Sequence, residues 1–307
     1  DDLALPDYRC FAHHLRSRLC FSLLACHSAG REGSSHRRKI QPASAWDGGR
    51  PDTWLAGWCC GWDLVAVPSG LHGEVISQLV RYGLPTLCEK PCGVTAEQTR
   101  LTADLVADAA LPFQVGYWRR FVPSLKDIRQ RISDGEFGEL FLVSCWQWDQ
   151  EPPATEFRLT SGGICIDMGV HEFDQARWLT GQEFESFDLL IPRPEFAPHV
   201  PGDPESMQIQ AQMSGGTIAT ISLGRRFPPG DMCKAEVYGT GASAQTTFLA
   251  PEDGETGFLA AVRAQAESFA RYARGAAREG ASIEDAIAAL EVAERASAQL
   301  AHMGASR

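Results

Sequence analysis

Leu84-Pro85-Thr86-Leu87-Cys88-Glu89-Lys90-Pro91-Cys92-Gly93-Val94 is a short apolar run that ends in an acid, a base and a proline. A brief apolar segment bounded by turn residues is the pattern of a buried strand in a parallel sheet. Glu89 and Lys90 are then delivered to the carboxyl edge of that sheet, where ligands of open α/β sheets sit. A partly desolvated Lys90 ammonium at such an edge can polarise a hydroxyl or carbonyl oxygen. The alternative is a solvated ion pair at a surface strand end, with no chemistry attached.

The flanking chain favours the first view. Upstream, Leu64 to Val67 is β-rich and closes in Pro68-Ser69-Gly70-Leu71-His72, and Glu74 to Tyr82 has the spacing of an amphipathic helix stopped by Gly83. Downstream, Thr95 is a plausible N-cap for a helix running to about Ala110, followed by a strand from Phe113 to Tyr117. This β-α-β-α-β order with short connections implies parallel strands and right-handed crossovers. The loops at Pro68 and Glu89 should therefore meet along one sheet edge.

From Trp118 the pattern changes. Arg119-Arg120-Phe121 leads into a helix from Ser124 to Ser133, then a long β-rich run from Leu140 to Trp148. Further alternating segments lie at Phe187 to Ile191, Met207 to Met213, Thr217 to Leu223, Ala235 to Tyr238 and Thr246 to Leu249. Hairpin-like spacing, with Ser214-Gly215-Gly216 between two of them, predicts a mostly antiparallel open sheet. Two Ala-rich helices close the chain, Phe258 to about Ala277 and Ile283 to about Ala301. The expected fold is α/β: a Rossmann-type parallel sheet domain over residues 1–118, irregular in 1–60, followed by an α+β domain over 119–307. The last helix is expected to pack back on the first domain.

Composition narrows the function classes. The 307 residues are 44% hydrophobic and 22% charged, ordinary for a globular protein. A net charge of −11 argues against general affinity for nucleic acid or an anionic membrane face. No apolar run reaches the roughly 18 residues that would span a bilayer. Asp1-Asp2-Leu3 lacks the basic start of a signal peptide, so a cytoplasmic location is expected. The ten cysteines include no C-x-x-C pair, and reduced, scattered thiols are expected. Cys88 and Cys92 read as small buried hydrophobes rather than ligands.

Residues 1–62 carry half of the cysteines and four of the eight tryptophans, without a clean helix or strand period. Within them, Phe21 to Cys26 is strand-like and leads into Ser28-Ala29-Gly30-Arg31-Glu32-Gly33. That segment is similar to a dinucleotide-binding turn in which Ser28 replaces the first glycine; such glycines let the backbone approach a pyrophosphate. An ordinary Gly/Ser loop is the competing assignment. Asp47 or Asp52 would stand where a ribose-binding acid is expected, but neither closes a strand. Too little chain separates Gly33 from Trp62 for a full βαβ unit of roughly 30 residues, so this part is expected to be incomplete.

A second constellation lies between the two sheets, where Ser161-Gly162-Gly163 precedes Asp167, His171 and Asp174. The spacing i, i+4, i+7 places all three on one face of a helix. A carboxylate one turn from an imidazole can fix its tautomer, which makes His171 a candidate general base or acid. The same spacing suits a metal site or a merely satisfied polar face.

In order and spacing, Pro68-Ser69-x-x-His72, Glu89-Lys90-Pro91, Gly116-Tyr117-Trp118-Arg119-Arg120-Phe121 and Asp167-x-Gly169-x-His171-x-x-Asp174 resemble the signature of the Gfo/Idh/MocA oxidoreductases. The resemblance covers roughly residues 63–302 and is nearest to the inositol 2-dehydrogenase-like branch. It implies NAD or NADP as cofactor and oxidation of a secondary hydroxyl of an inositol, polyol or sugar. It further implies Lys90 at the reacting oxygen, His171 as proton acceptor and Asp167 as the orienting group. Pro68, Ser69, His72 and Glu89, with Gly30, Gly33 and Lys90, would contact the cofactor, while Arg120 and Asp174 would face substrate. A homo-oligomer, dimer or tetramer, is expected, with no nucleic-acid or membrane partner and no metal. The rival is a catalytically silent ligand-binding relative with a damaged nucleotide site, and a third possibility is a metal-dependent isomerase or hydrolase.

Overall fold

The computed structural model describes residues 61–192, 200 and 203–305. Gly30 and Gly33 lie outside the described residues, as do Asp47 and Asp52.

Three short strands, β1 (Asp63–Val65), β2 (Thr86–Cys88) and β3 (Phe113–Val115), form a parallel sheet in the order β1-β2-β3. Every residue of β2 and β3 is buried, as strands covered on both faces require. Helix α1 (His72–Arg81) crosses from β1 to β2 and buries His72, Ile76 and Leu79, one face at helical spacing. Helix α2 (Ala96–Ala109) crosses from β2 to β3. Thr95 caps it, its hydroxyl accepting from the Gln98 N–H at 3.1 Å. The first strand is shorter than Leu64 to Val67, because the chain leaves the ladder at Ala66 to bring Pro68 over the sheet edge.

Helix α3 (Pro123–Ser133) leads into the second sheet, whose strands are β4 (Leu140–Trp148), β5 (Phe184–Leu190), β6 (Ser206–Met213), β7 (Ile218–Gly224), β8 (Met232–Gly239) and β9 (Ser243–Leu249). Their order is β5-β6-β7-β4-β8-β9. All neighbours are antiparallel except β4 and β7, which pair in parallel from Leu142↔Ile218 to Trp148↔Gly224. That one parallel pair puts the carboxyl ends of β4 and β7 side by side. In β6, Met207, Ile209, Ala211 and Met213 are buried and alternate with exposed glutamines.

Between β4 and β5 come α4 (Thr155–Thr160), a π-helical turn at Cys165–Gly169 and α5 (Val170–Thr180). Helix α5 is buried almost all round, polar residues included, so Glu172 and Asp174 need partners inside the protein. After α6 (Thr256–Tyr272), the long α7 (Ile283–Ala305) returns to the first sheet. Its Glu294 carboxylate accepts from the Ala96 N–H at the start of α2 at 2.8 Å. Ser282 and Asp285 cap its start reciprocally, Asp285 N–H to Ser282 Oγ at 3.0 Å and Ser282 N–H to Asp285 Oδ2 at 2.8 Å. One continuous apolar core runs from the first sheet through α5 to the second.

Candidate active site

Three loops converge at the carboxyl edge of the first sheet. The Glu89 N–H donates to Val65 O at 2.8 Å and the Gly116 N–H to Cys88 O at 2.7 Å, which locks the ends of the three strands in step. His72 fastens the loops further. Its Nδ1 lies 2.9 Å from Pro91 O and its Nε2 2.8 Å from Val67 O. The ring is 1% exposed, and burial lowers its pKa. A neutral imidazole has one N–H, so it donates to one of these carbonyls. His72 thus acts as a clip between two loops, with both ring nitrogens on backbone carbonyls. Pro68 is exposed and Ser69 half-buried at the edge itself.

Lys90 follows β2, at the start of a cis Lys90–Pro91 peptide. Its ammonium reaches across to the second half of the chain. Nζ donates to Asp167 O at 2.7 Å and lies 3.6 Å from Asp167 Oδ1. Both side chains are just under a fifth exposed, 19% and 18%, so the pair is partly desolvated but open on one side. The two sequence constellations therefore meet in space.

The geometry of Asp167 depends on the turn that carries it. Gly162 and Gly163 have φ of +84° and +78°, a left-handed pair that L side chains rarely adopt. The Ile164 N–H that follows donates to Asp203 Oδ1 at 2.7 Å. The chain then winds through the wide π turn before tightening into α5. This turn corrects the expectation of one polar face, because a wider turn advances the chain less per residue and puts Asp167 out of phase with Asp174. Asp167 faces Lys90, whereas Asp174 is turned into the core. His171, in the first turn of α5, is buried with the edge of its ring against Tyr117, centroids 5.9 Å apart and planes at 84°.

Arg120 and Asp174 are found together, as a buried ion pair. Arg120 Nε donates to Asp174 Oδ2 at 3.0 Å and Nη2 to Oδ1 at 2.5 Å, with Nη1 on Asp285 Oδ2 at 3.1 Å. Burial presses the Asp174 carboxyl upward, with Arg120 holding against it. The guanidinium is a three-way tie between the segment after β3, helix α5 and helix α7. Its neighbour Arg119 is equally engaged with Glu172, and with Gln147 Oε1 at 2.8 Å.

Two charged residues at this edge belong to no motif in the sequence. Asp149 follows β4 and Arg225 follows β7, and the parallel pairing of those strands brings both beside Asp167. The Asp149 N–H donates to Gly224 O at 2.8 Å and its carboxylate accepts from Gln147 Nε2 at 3.1 Å. Burial, with Asp167 and Asp231 adding to it, pushes the Asp149 carboxyl up to about 6. Arg225 is fully buried, with Nη2 3.5 Å from Asp167 Oδ2. A charge just past a predicted strand was the only signal for either, and it does not reveal which strands pair.

Cys88, Cys92, Cys145, Cys165 and Cys233 are free and buried, and burial pushes the Cys88 thiol well up. Among the described residues, no group of three or more His, Cys, Asp or Glu is arranged to hold a metal ion, and no helix is long and apolar enough to cross a membrane.

A short parallel sheet with open loops at its carboxyl edge, and a lysine reaching from that edge to a carboxylate one helical turn from a histidine, define an α/β protein whose candidate site lies at the ligand-binding edge of its sheet. Comparison with known proteins gives the family. Residues 63–117 match the model of an oxidoreductase family with an NAD-binding Rossmann fold, and residues 125–245 match the GFO/IDH/MocA C-terminal domain. The chain is 52% identical over 233 residues to the rhizopine catabolism protein MocA of Rhizobium meliloti, covering 76% of this chain and 74% of that one. It is 32% identical over 254 residues to an inositol 2-dehydrogenase of Rhizobium meliloti, covering 76% of each. A solved myo-inositol dehydrogenase from Corynebacterium glutamicum superposes with a TM-score of 0.69 at 25% identity, over 78% of each chain. The chain belongs to the GFO/IDH/MocA oxidoreductases.

The part of the cofactor edge that is described suits the reacting end of a nicotinamide nucleotide: exposed Pro68, half-buried Ser69 and Glu89, and a partly open Lys90 ammonium line one rim. The residues expected at its pyrophosphate, Gly30 and Gly33, lie outside the described residues.

Proposed function

We propose that this chain oxidises a secondary hydroxyl of an inositol-type polyol or sugar with NAD or NADP, using Lys90, Asp167 and His171 as its acid–base group. The observation that carries this reading is the Lys90–Asp167 contact, 2.7 Å to the carbonyl and 3.6 Å to the carboxylate, one turn from His171. Bound nicotinamide would supply the hydride acceptor. Lys90, the ammonium nearest the open edge, donates to the reacting oxygen and stabilises the negative charge that builds on it. Asp167 holds that ammonium in place from the far side. His171 takes the hydroxyl proton on a ring nitrogen, its ring braced by Tyr117. Pro68, Ser69 and Glu89 line the nucleotide. Arg120 and Asp174 fix the position of α5, and with it His171, instead of contacting substrate.

A second reading of the substrate is favoured by the 52% identity to a rhizopine catabolism protein, well above the 32% to an inositol 2-dehydrogenase. On that reading the preferred substrate is a compound of the rhizopine pathway and unmodified inositols are poor substitutes. The test is nucleotide reduction at 340 nm with NAD or NADP across myo-inositol, scyllo-inositol, simple sugars and rhizopine. Turnover of at least one polyol that disappears in Lys90→Met and His171→Gln supports the reading. Nucleotide binding with no turnover of any member would favour a silent relative, and activity that persists in both variants would remove the assigned roles.

A further inference from the structure

Arg225 has no place in the chemistry described so far, although it is the largest fully buried side chain among the described residues. Its Nη2 is 3.5 Å from Asp167 Oδ2 and its Nη1 3.4 Å from Asp203 Oδ2, and none of its three nitrogens closes a hydrogen bond. A guanidinium retained in that condition is unfavourable unless its charge is needed, since burying an ion has a penalty of several kcal/mol. Neighbouring Arg158 shows what a structural arginine looks like here. It donates to Asp203 Oδ2 at 2.7 Å, to Asp203 O at 2.6 Å and to Glu205 Oε1 at 2.5 Å. Arg158 already hydrogen-bonds both carboxylates of the 203–205 segment, so that segment does not by itself explain Arg225.

We infer that Arg225 is a positioning residue for the oxidation site: it holds the outer oxygen of Asp167 so that the inner one faces Lys90, which keeps the lysine ammonium aimed at the open edge. The inference rests on the proposed roles of Lys90, Asp167 and His171. Asp167 Oδ2 faces Arg225 at 3.5 Å, Oδ1 faces Lys90 at 3.6 Å, and each carboxylate oxygen has one cation. Arg158, Asp203, Arg225, Asp167 and Lys90 form an unbroken line of alternating sign from α4 to the sheet edge, with Glu205 beside Arg158. Four cations (Arg158, Arg225, Arg226, Lys90) stand against three carboxylates (Asp203, Glu205, Asp167), Arg226 Nη2 lying 3.8 Å from Glu205 Oε2 at the far end of the line. Asp149, just past the end of β4, is also close enough for its charge and that of Asp167 to act on one another. Without Arg225 the carboxylate is free to rotate and clasp Lys90 with both oxygens, withdrawing the ammonium from substrate. Arg225 is fully buried, so its loss is expected to act on turnover and leave binding alone.

The test uses Arg225→Met and Arg225→Lys in the full chain, with myo-inositol, scyllo-inositol and NAD as probes. Arg225→Met is expected to lower kcat by about 10²-fold, the scale on which a misplaced catalytic group is felt. KM for polyol and for NAD should stay within about threefold, and Arg225→Lys should recover most of kcat. The double variant Asp167→Asn with Arg225→Met should be no slower than Asp167→Asn alone, because residues acting through one another are not additive. A readout without turnover comes from the lysines, of which the chain has four, Lys39, Lys90, Lys126 and Lys234. After reductive ¹³C-methylation, the Lys90 resonance, assigned with Lys90→Arg, should move in Arg225→Met while those of Lys126 and Lys234 stay put. Wild-type kcat in Arg225→Met, or an unmoved Lys90 resonance, would overturn the inference. Failure of the proposed function shows differently, as full activity in Lys90→Met, and the resonance measurement still decides whether Arg225 acts on Lys90.

Discussion

Replacing Arg120 with methionine separates a structural tie from a substrate contact. The Arg120–Asp174 pair is doubly hydrogen-bonded at 3.0 and 2.5 Å, with side-chain exposures of 8% and 2%. Removing one partner of such a pair strands the other, which typically destabilises by about 3–5 kcal/mol. The two directions are not equivalent. Without Asp174, Arg120 keeps Asp285 at 3.1 Å, a carboxylate that is 31% exposed. Without Arg120, Asp174 is left buried against Tyr117, whose hydroxyl sits in the same pocket and is itself pushed well up by burial. Arg120→Met should therefore destabilise by about 4 kcal/mol, and Asp174→Asn by nearer 3. For a chain of this size each kcal/mol moves Tm by about 2–4 °C, so Arg120→Met should melt about 8–16 °C lower at pH 7.5. The pH dependence has a definite sign. Burial already raises Asp174 above 3.8, and losing the cation raises it further. The folded variant then binds its proton more tightly than the unfolded chain, so part of the deficit disappears as pH falls toward 5. Differential scanning calorimetry at both pH values, with KM for the best polyol, is the assay. Arg120→Met with an unchanged Tm and a KM raised more than tenfold would refute this account and return the guanidinium to the substrate.

Three further outcomes follow from single sites. Asp149→Asn should stabilise the protein above neutrality. The gap between an ordinary 3.8 and about 6 corresponds to roughly 3 kcal/mol, lost as pH rises from about 4 to 6, so the variant should melt higher at pH 7.5 and show no gain near pH 4. Gly162→Ala should destabilise by at least about 1–2 kcal/mol in urea titration, since φ is +84° and its Cβ would lie 2.9 Å from Ile166 Cβ. Thr95→Ala should lose about 1 kcal/mol through the α2 cap, with kcat unaffected.

The residues that announce themselves locally were the legible ones. Glu89-Lys90-Pro91 follows a buried strand, Thr95 caps a helix, and the alternation of β6 sets its inner face, because each follows from contacts within a few residues. Lys90 and Asp167 belong to separate sequence motifs, and only the fold brings them together. Three kinds of feature were out of reach. The parallel pairing of β4 with β7 joins distant segments, so Asp149 and Arg225 looked like ordinary charges after strands. The π turn replaced a regular helix and broke the expected face of Asp167, His171 and Asp174, since nothing in a 3.6-residue period signals a wider turn. Arg120 and His72 carry family-like spacing, which marks them without revealing the distant partners each has in the fold.

Single-turnover hydride transfer is the most direct test of Lys90 as the group at the reacting oxygen. A ring-deuterated myo-inositol, or whichever polyol the substrate panel selects, is mixed with excess protein and NAD or NADP, and the label in reduced nucleotide is followed in wild type and in Lys90→Met. Deuterium should appear in the nucleotide with wild type, and the rate should fall by about 10²–10⁴-fold in the variant while nucleotide affinity holds. Equal rates in the two proteins, or nucleotide binding with no label transferred by wild type, would contradict it.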